Sequence, residues 1–268
     1  LSVRTILAST LRLPSGNWES IAAILASPFI GSFLGVLIRR LPEGHPVAIG
    51  RSRCDGCGAA LAPGDLVPLL SYAVLRGRCR HCGGIISGFY PGVELAAMAV
   101  ALLAALLSPP DEVWIDCVLG WMLLTVTWID LRNRLLPDAL TLPLIAAGMA
   151  QAWLFEDDLL DSLIGAAAGY LIIWGLLTLY RRLRGRDDIG IGDAKLFAAA
   201  GAWLGWESLP LVLLTAALTA LAAAGIAHMT GRRRRGGAQI PFGPFLAAAI
   251  WGIRLLIQSD LGHLQLPA

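Results

Sequence analysis

Charge is what this sequence has least of. Only 15% of its 268 residues are Asp, Glu, Lys or Arg, against about 25% in soluble domains, too few to clothe a water-soluble globule. Cysteine is scarce as well: five in the whole chain exclude a secreted disulfide scaffold. There is no HExxH helix, no GxSxG elbow and no Walker loop, which removes the zinc peptidases, hydrolases and P-loop enzymes built on them. Gly190-x-Gly192 fails as a dinucleotide fingerprint, because Lys195 stands where a third Gly would fall. Leu1–Gly16 lacks the apolar core and cleavage site of a signal peptide, so none is expected. Disorder is excluded by a 56% hydrophobic content and a mean hydropathy of +0.68.

What the chain has in quantity is apolar runs of membrane-crossing length. Eight are expected, at roughly Trp18–Leu41, Phe89–Leu107, Val113–Asp130, Asp138–Phe155, Leu160–Tyr180, Asp193–Trp206, Leu209–Met229 and Phe242–Gln258. The sixth is short and ends in a Trp-Glu-Ser-Leu-Pro turn. None alternates as a barrel strand would, so the fold class is an all-α polytopic bundle. The parts are a first transmembrane helix (18–41), a polar loop (42–88), a seven-helix core (89–258) and a short tail (259–268).

Arginines fix the expected orientation. They crowd alternate connections: Arg51, Arg53, Arg76, Arg78 and Arg80; Arg132 and Arg134; Arg181, Arg182, Arg184 and Arg186; Arg232–Arg235. The intervening connections hold Asp111 and Glu112, then Glu156, Asp157 and Asp158, then Glu207. The positive-inside rule places the arginine loops in the cytoplasm and both termini outside. The run 232–235 is explained by orientation, without a nucleic-acid role. Gly31-x-x-x-Gly35 and Gly165-x-x-x-Gly169 suit close helix packing.

The loop 42–88 carries Cys54-x-x-Cys57 and Cys79-x-x-Cys82, with 21 residues between the pairs. Two such knuckles supply four thiolates to one tetrahedral Zn²⁺, and a reducing compartment favours metal over disulfide. With four sulfur ligands no position is left for water, so the zinc is expected to be structural. His81 is surplus to the set, and Cys117 is expected to be packing.

Acids within spans are costly and therefore functional candidates. Asp116 and Asp130 are fourteen residues apart on one helix, roughly 21 Å, and cannot share a site. Asp116 is expected to face water or a neighbouring helix. Asp130, Asp193 and Glu94 instead arrive at the inner membrane surface on three helices. Two carboxylates a few ångströms apart share one proton, so one can act as base on water while the other donates. Gly190-Ile-Gly192 before Asp193 suits a non-helical stretch lining a cavity, able to pair with an extended substrate. On topology alone Asp130 and Asp193 are equally well read as interfacial charges. An ion path in a transporter or channel, or a silent assembly protein docking through its cysteine loop, also stays open.

The ordered motifs resemble the bacterial type IV prepilin peptidases, membrane aspartic proteases of the GxGD class. They are Gly31-Ser-Phe-Leu-Gly-Val, Arg40-Leu-Pro42, the paired CxxC loop, Ser71-Tyr72 with Leu75-Arg-Gly-Arg-Cys79, and Tyr90-Pro-x-x-Glu94-Leu. Ile129-Asp130-Leu, Leu136-Pro-Asp138-x-Leu-Thr-Leu-Pro143, Gly190-Ile-Gly-Asp193-Ala-Lys-Leu196 and Ile240-Pro-Phe-Gly-Pro-Phe245 follow. The resemblance implies that Asp130 and Asp193 are the catalytic pair and that the four cysteines are the family's cysteine motif. It implies prepilin and pseudopilin clients, cut after a Gly at the cytoplasmic face of the bacterial inner membrane. It also implies N-methylation of the new terminus from S-adenosylmethionine, for which Glu94 and the adjoining loop are the candidate donor site. Two positions depart from the family pattern: Gly35 replaces a usual Asn and Ile189 a frequent Met, and neither touches the acid pair.

Overall fold

The computed structural model describes residues 18–45, 52–155, 158–184, 190–230 and 241–259. Leu1–Gly16, Arg51, Glu156 and Asp157, Arg186, Ile189, Arg232–Arg235, Ile240 and most of the tail, all used in the sequence reading, lie outside the described residues. Each of the eight apolar runs forms a helix, as a backbone deprived of water requires. In chain order the helices are α1 (Trp18–Arg40), a short α2 (Leu70–Val74) in the cysteine loop, α3 (Phe89–Leu107), α4 (Val113–Asn133) and α5 (Asp138–Leu154). α6 (Leu159–Arg184), α7 (Ile191–Leu204), α8 (Leu209–Met229) and α9 (Gly243–Gln258) complete them. Among the described residues no strand forms beyond two isolated bridges, Arg53 with Ala60 and Arg78 with Ile85.

Five of these helices are long and apolar enough to cross a membrane: α1, α3, α4, α6 and α8. α5, α7 and α9 are shorter, at 17, 14 and 16 residues. At 1.5 Å per residue α7 rises only about 21 Å, less than the ~30 Å hydrocarbon core. Its environment explains how so short an apolar helix is kept.

The chain divides into two compact units, Ser15–Thr125 and Val126–Ala268, with α4 contributing to both. In the first, α1 packs on α3. A methyl group added at Gly31 would lie 2.7 Å from Glu94 Cα, so the helix backbones touch there, whereas Gly35 meets the Tyr90 ring at an ordinary 3.4 Å. Trp121 Nε1 donates to Ala97 O at 2.9 Å, tying α4 to α3.

In the second unit α7 is the buried hub. It contacts α5, α6, α8 and α9, and Ala194 and every residue from Leu196 to Trp203 are buried. Trp203 Nε1 donates to Leu144 O of α5 at 2.8 Å. The neighbouring helices carry the lipid-facing surface instead, as the exposed series Leu211, Leu214, Leu218 and Leu221 on α8 illustrates.

The contact between α6 and α7 is made of glycine. A Cβ at Gly201 would lie 2.0 Å from Gly165 O, and one at Gly169 would lie 2.4 Å from Phe197 O. Gly201→Ala must therefore part the two helices, at a cost of about 1–3 kcal/mol. Gly175 has open space around it, and Gly175→Ala should be neutral or mildly stabilising. Thermal unfolding of the two variants side by side checks this, and equal melting temperatures would refute it.

Candidate active site

Asp130 and Asp193 belong to the same unit, and the segments that bear them are tied together. Asp130 lies in the last turn of α4, where Arg134 N–H bonds Asp130 O at 2.9 Å and Arg134 itself turns into the left-handed region at φ +53°. The chain leaving α4 then meets the first turn of α7. A Cβ at Gly192 would lie 2.6 Å from Leu136 Cβ, so only glycine allows that approach. Lys195, two residues past Asp193, pairs with Asp138 at the start of α5 (2.5 Å). Asp193 in the first turn of α7 is within reach of the charge on Asp130.

The two acids differ in their surroundings. Asp130 is 6% exposed, while Asp193 is half-buried. Gly243, the first residue of α9, lies against Asp130: a methyl group there would be 2.6 Å from Oδ2 and 3.2 Å from Cγ. The Gly243 backbone lies beside the carboxylate, and Oδ2 has no partner at regular hydrogen-bond geometry. The sequence reading gave Gly243 no role. Phe-Gly-Pro is legible as a helix start, since proline suits a first turn, but no spacing rule connects residue 243 with residue 130.

In the first unit the four cysteines converge, every pair of Sγ atoms lying within 4.8 Å. Cys54 Sγ and Cys82 Sγ are 3.9 Å apart, close to the ~3.8 Å expected across a tetrahedron with 2.3 Å zinc–sulfur bonds. The two knuckles repeat one turn. Cys54 N–H bonds Ala59 O and Gly58 N–H bonds Cys54 O; Cys79 N–H bonds Gly84 O and Gly83 N–H bonds Cys79 O. Gly58 and Gly83 take φ of +71° and +68°, a conformation glycine adopts without strain. N–H groups of Cys57 and Gly56 hold the Cys54 thiol down to about 7. At Cys82 the Gly84 N–H pulls the same way, but the thiols of Cys57 and Cys79 prevail and push it up to about 11. The group can hold a metal ion, and His81 is no part of it. Cys117 is fully buried, as packing requires, and so is Asp116, which does not face water.

Glu94 belongs to this unit too. Its Oε2 accepts the N–H of Leu69 at 2.8 Å, fixing a backbone whose φ of +59° is otherwise unfavourable. It also lines a cleft between the cysteine loop and α1 and α3, with Ser32, Asp65, Tyr72, Arg80 and Tyr90. The cleft holds roughly 1070 Å³ including its mouth, room for a drug-sized molecule. Asp65 is almost wholly buried and pairs with Arg80 at 2.9 Å. Arg39 bridges Asp55 and the Tyr90 hydroxyl at the rim. Tyr72, Arg80 and Tyr90 stood in the sequence only as motif or orientation residues, and their convergence with Ser32 and Asp65 around Glu94 was not foreseen, because long-range pairing inside a loop leaves no periodic trace.

Comparison with known proteins gives a consistent result. Residues 25–108 match the Bacterial Peptidase A24 N-terminal domain, and residues 117–225 match the Type IV leader peptidase family. The prepilin leader peptidase/N-methyltransferase of Burkholderia pseudomallei (strain 1026b) is 42% identical over 269 residues, covering 90% of this chain and 86% of that protein. The proteins of the same name from Aeromonas salmonicida (strain A449) and Pseudomonas aeruginosa are 39% and 35% identical. Those alignments cover 85% and 86% of this chain, and 87% and 88% of the relatives. No solved structure matches.

Proposed function

The chain belongs to the type IV leader peptidase family, and on that premise we propose a membrane aspartic endopeptidase that removes the leader of prepilins and pseudopilins and N-methylates the new terminus. The observation that carries the peptidase reading is the tie between the two aspartate segments, Gly192 on Leu136 and Lys195 on Asp138. Asp130 and Asp193 are the catalytic pair. One carboxylate takes a proton from water, whose oxygen attacks the scissile carbonyl; the other lends its proton to the carbonyl oxygen, recovers it as the C=O re-forms, and gives it to the leaving nitrogen as the C–N bond breaks. Both acids lie at helix ends, where a cleavage point just outside a lipid-embedded helix arrives. A transporter or channel would hold its carboxylates near the midplane instead.

The arginine-rich connections support an inner-membrane protein with its site at the cytoplasmic face. Its parts are helix 18–41, the cysteine loop 42–88, the helices 89–258 carrying both acids, and the tail 259–268. The four sulfurs suit Zn²⁺, which prefers tetrahedral thiolate ligation, and Cys54, Cys57, Cys79 and Cys82 would hold it as a brace for the loop. S-adenosylmethionine supplies an electrophilic methyl group when bound. The cleft beside Glu94 suits it: buried carboxylate for a sulfonium cation, and the Tyr72 and Tyr90 rings for a flat base.

The decisive experiment incubates purified protein with a prepilin-like peptide and S-adenosylmethionine and follows both products by mass. We expect leader release and a 14-Da increment on the mature fragment; absence of leader release would sink the reading. Glu94→Gln keeps an acceptor for Leu69 N–H but removes the charge, and charge-assisted contacts are worth about 1.5–3 kcal/mol. Methylation should therefore fall some 10- to 100-fold while cleavage stays within about twofold. Parallel loss of both activities would deny Glu94 a part in donor binding.

A further inference from the structure

The start of α9 is aimed at one acid of the pair. A helix N-terminus leaves N–H groups unsatisfied and carries partial positive charge. Among the first four residues of α9, Pro244 has no N–H, and Phe245 and Leu246 N–H both bond Phe242 O at 3.1 Å. The Gly243 N–H remains, and the group against it is the Asp130 carboxylate, 6% exposed, whose Oδ2 lacks a regular partner. Asp193, among the described residues, receives no such N–H. The charged groups facing Asp130 are Asp193 from α7 and Arg134 from the end of α4. α9 brings no acidic side chain in its first turn.

We infer that Gly243 is a positioning residue of the reaction: its N–H orients the Asp130 carboxylate and holds it as the anion, making Asp130 the base on water and Asp193 the carrier of the shared proton. The inference rests on the reading of Asp130 and Asp193 as the catalytic pair. Hydrogen bonding to the charged form favours that form, and catalytic contacts of this kind commonly tighten only once substrate is bound. Glycine is needed because any Cβ would collide with the carboxylate it serves. The chemistry needs no further co-reactant. The water proton passes to Asp130 as the C–O bond forms, and the Asp193 proton ends on the leaving nitrogen as the C–N bond breaks.

Two variants separate the N–H from the space around it. Gly243→Ala adds a methyl group. Cell-free synthesis in nanodiscs with glycolic acid at position 243 replaces the N–H by an ester oxygen and adds nothing. We expect both to lower kcat at least 10-fold with KM within twofold, and to move the acid limb of the pH–rate profile upward by about one unit, because a less stabilised anion needs higher pH to form. Gly252→Ala, in open space on the same helix, should leave rate and profile unchanged. Carbodiimide labelling of Asp130, mapped by mass against pH, gives a readout that needs no turnover. The labelled fraction should persist to higher pH in the ester variant. An ester variant with the parent's rate, profile and labelling curve would overturn the inference, even if Gly243→Ala is inactive or fails to fold. So would loss of rate in step with thermal stability and an unmoved profile. Should the parent cut no prepilin peptide while its labelling curve still shifts, the peptidase reading fails and the contact stands.

Discussion

Asp130→Asn and Asp193→Asn should each reduce leader cleavage by roughly 10³-fold or more, with the variant chains still inserted and folded. General acid–base catalysis by one group is worth about 10²–10⁴, and in the proposed mechanism neither acid has work without the other. An amide at position 130 cannot take the proton from water; one at 193 cannot give its proton to the departing amine. The double variant should therefore be scarcely worse than either single one, since groups that act as a unit are grossly non-additive. Asp138→Asn is the contrast. Its carboxylate is well exposed and, among the described residues, pairs with Lys195, and exposed pairs contribute about 1 kcal/mol or less, so a fall of fivefold or smaller is expected. The measurement is the rate of leader release from a synthetic prepilin segment, with folding followed by thermal unfolding in detergent. Appreciable turnover by both single variants would discard the acid pair.

The second large effect concerns the sulfurs. Purified protein should contain one zinc per chain by mass spectrometric metal analysis. The double change Cys54→Ser, Cys57→Ser should abolish it, since one knuckle offers only two ligands. Without the ion each knuckle keeps its own backbone hydrogen bonds but the two are no longer clamped to each other through the sulfurs, and limited proteolysis should cut the loop at least 10-fold faster. Acid should do the same reversibly. Every ligand must lose its proton to bind, and Cys82 begins as high as about 11, so affinity falls as pH falls. Metal should be retained at pH 7.5 and shed by about pH 5.5. A zinc-free protein whose loop resists protease as well in the serine variant as in the parent would remove the site.

The helices were readable because lipid permits a helix almost nothing else to do: each apolar run became one, with ends shifted by a few residues. Membrane crossing was less readable. The runs at α5, α7 and α9 look like the rest by composition, but α7 is apolar because other helices enclose it, and a hydropathy pattern cannot distinguish protein from lipid as the surrounding solvent. The cysteine cluster followed from spacing alone, since two CxxC turns have few other uses. Asp130 and Asp193 were nominated by depth in the membrane, yet what ties their segments together is Gly192 seated on Leu136, a contact between residues 56 apart that leaves no mark in either segment. The cleft around Glu94 was hidden for the same reason. At Asp116 the sequence left water or a neighbouring helix open, and burial settles it against water.

At Gly201 and Gly165 two helix backbones rest on each other with no side chain between them. A joint of that kind has no rotamers to change and no cavity to fill, so its spacing is set by the hard radii of peptide atoms. Asp193 stands about two turns along the same helix, mounted on a seam of bare backbone. Exchanging the surrounding lipid for shorter or longer chains should disturb the greasy outer flank of α8 while leaving the bearing of that acid unchanged.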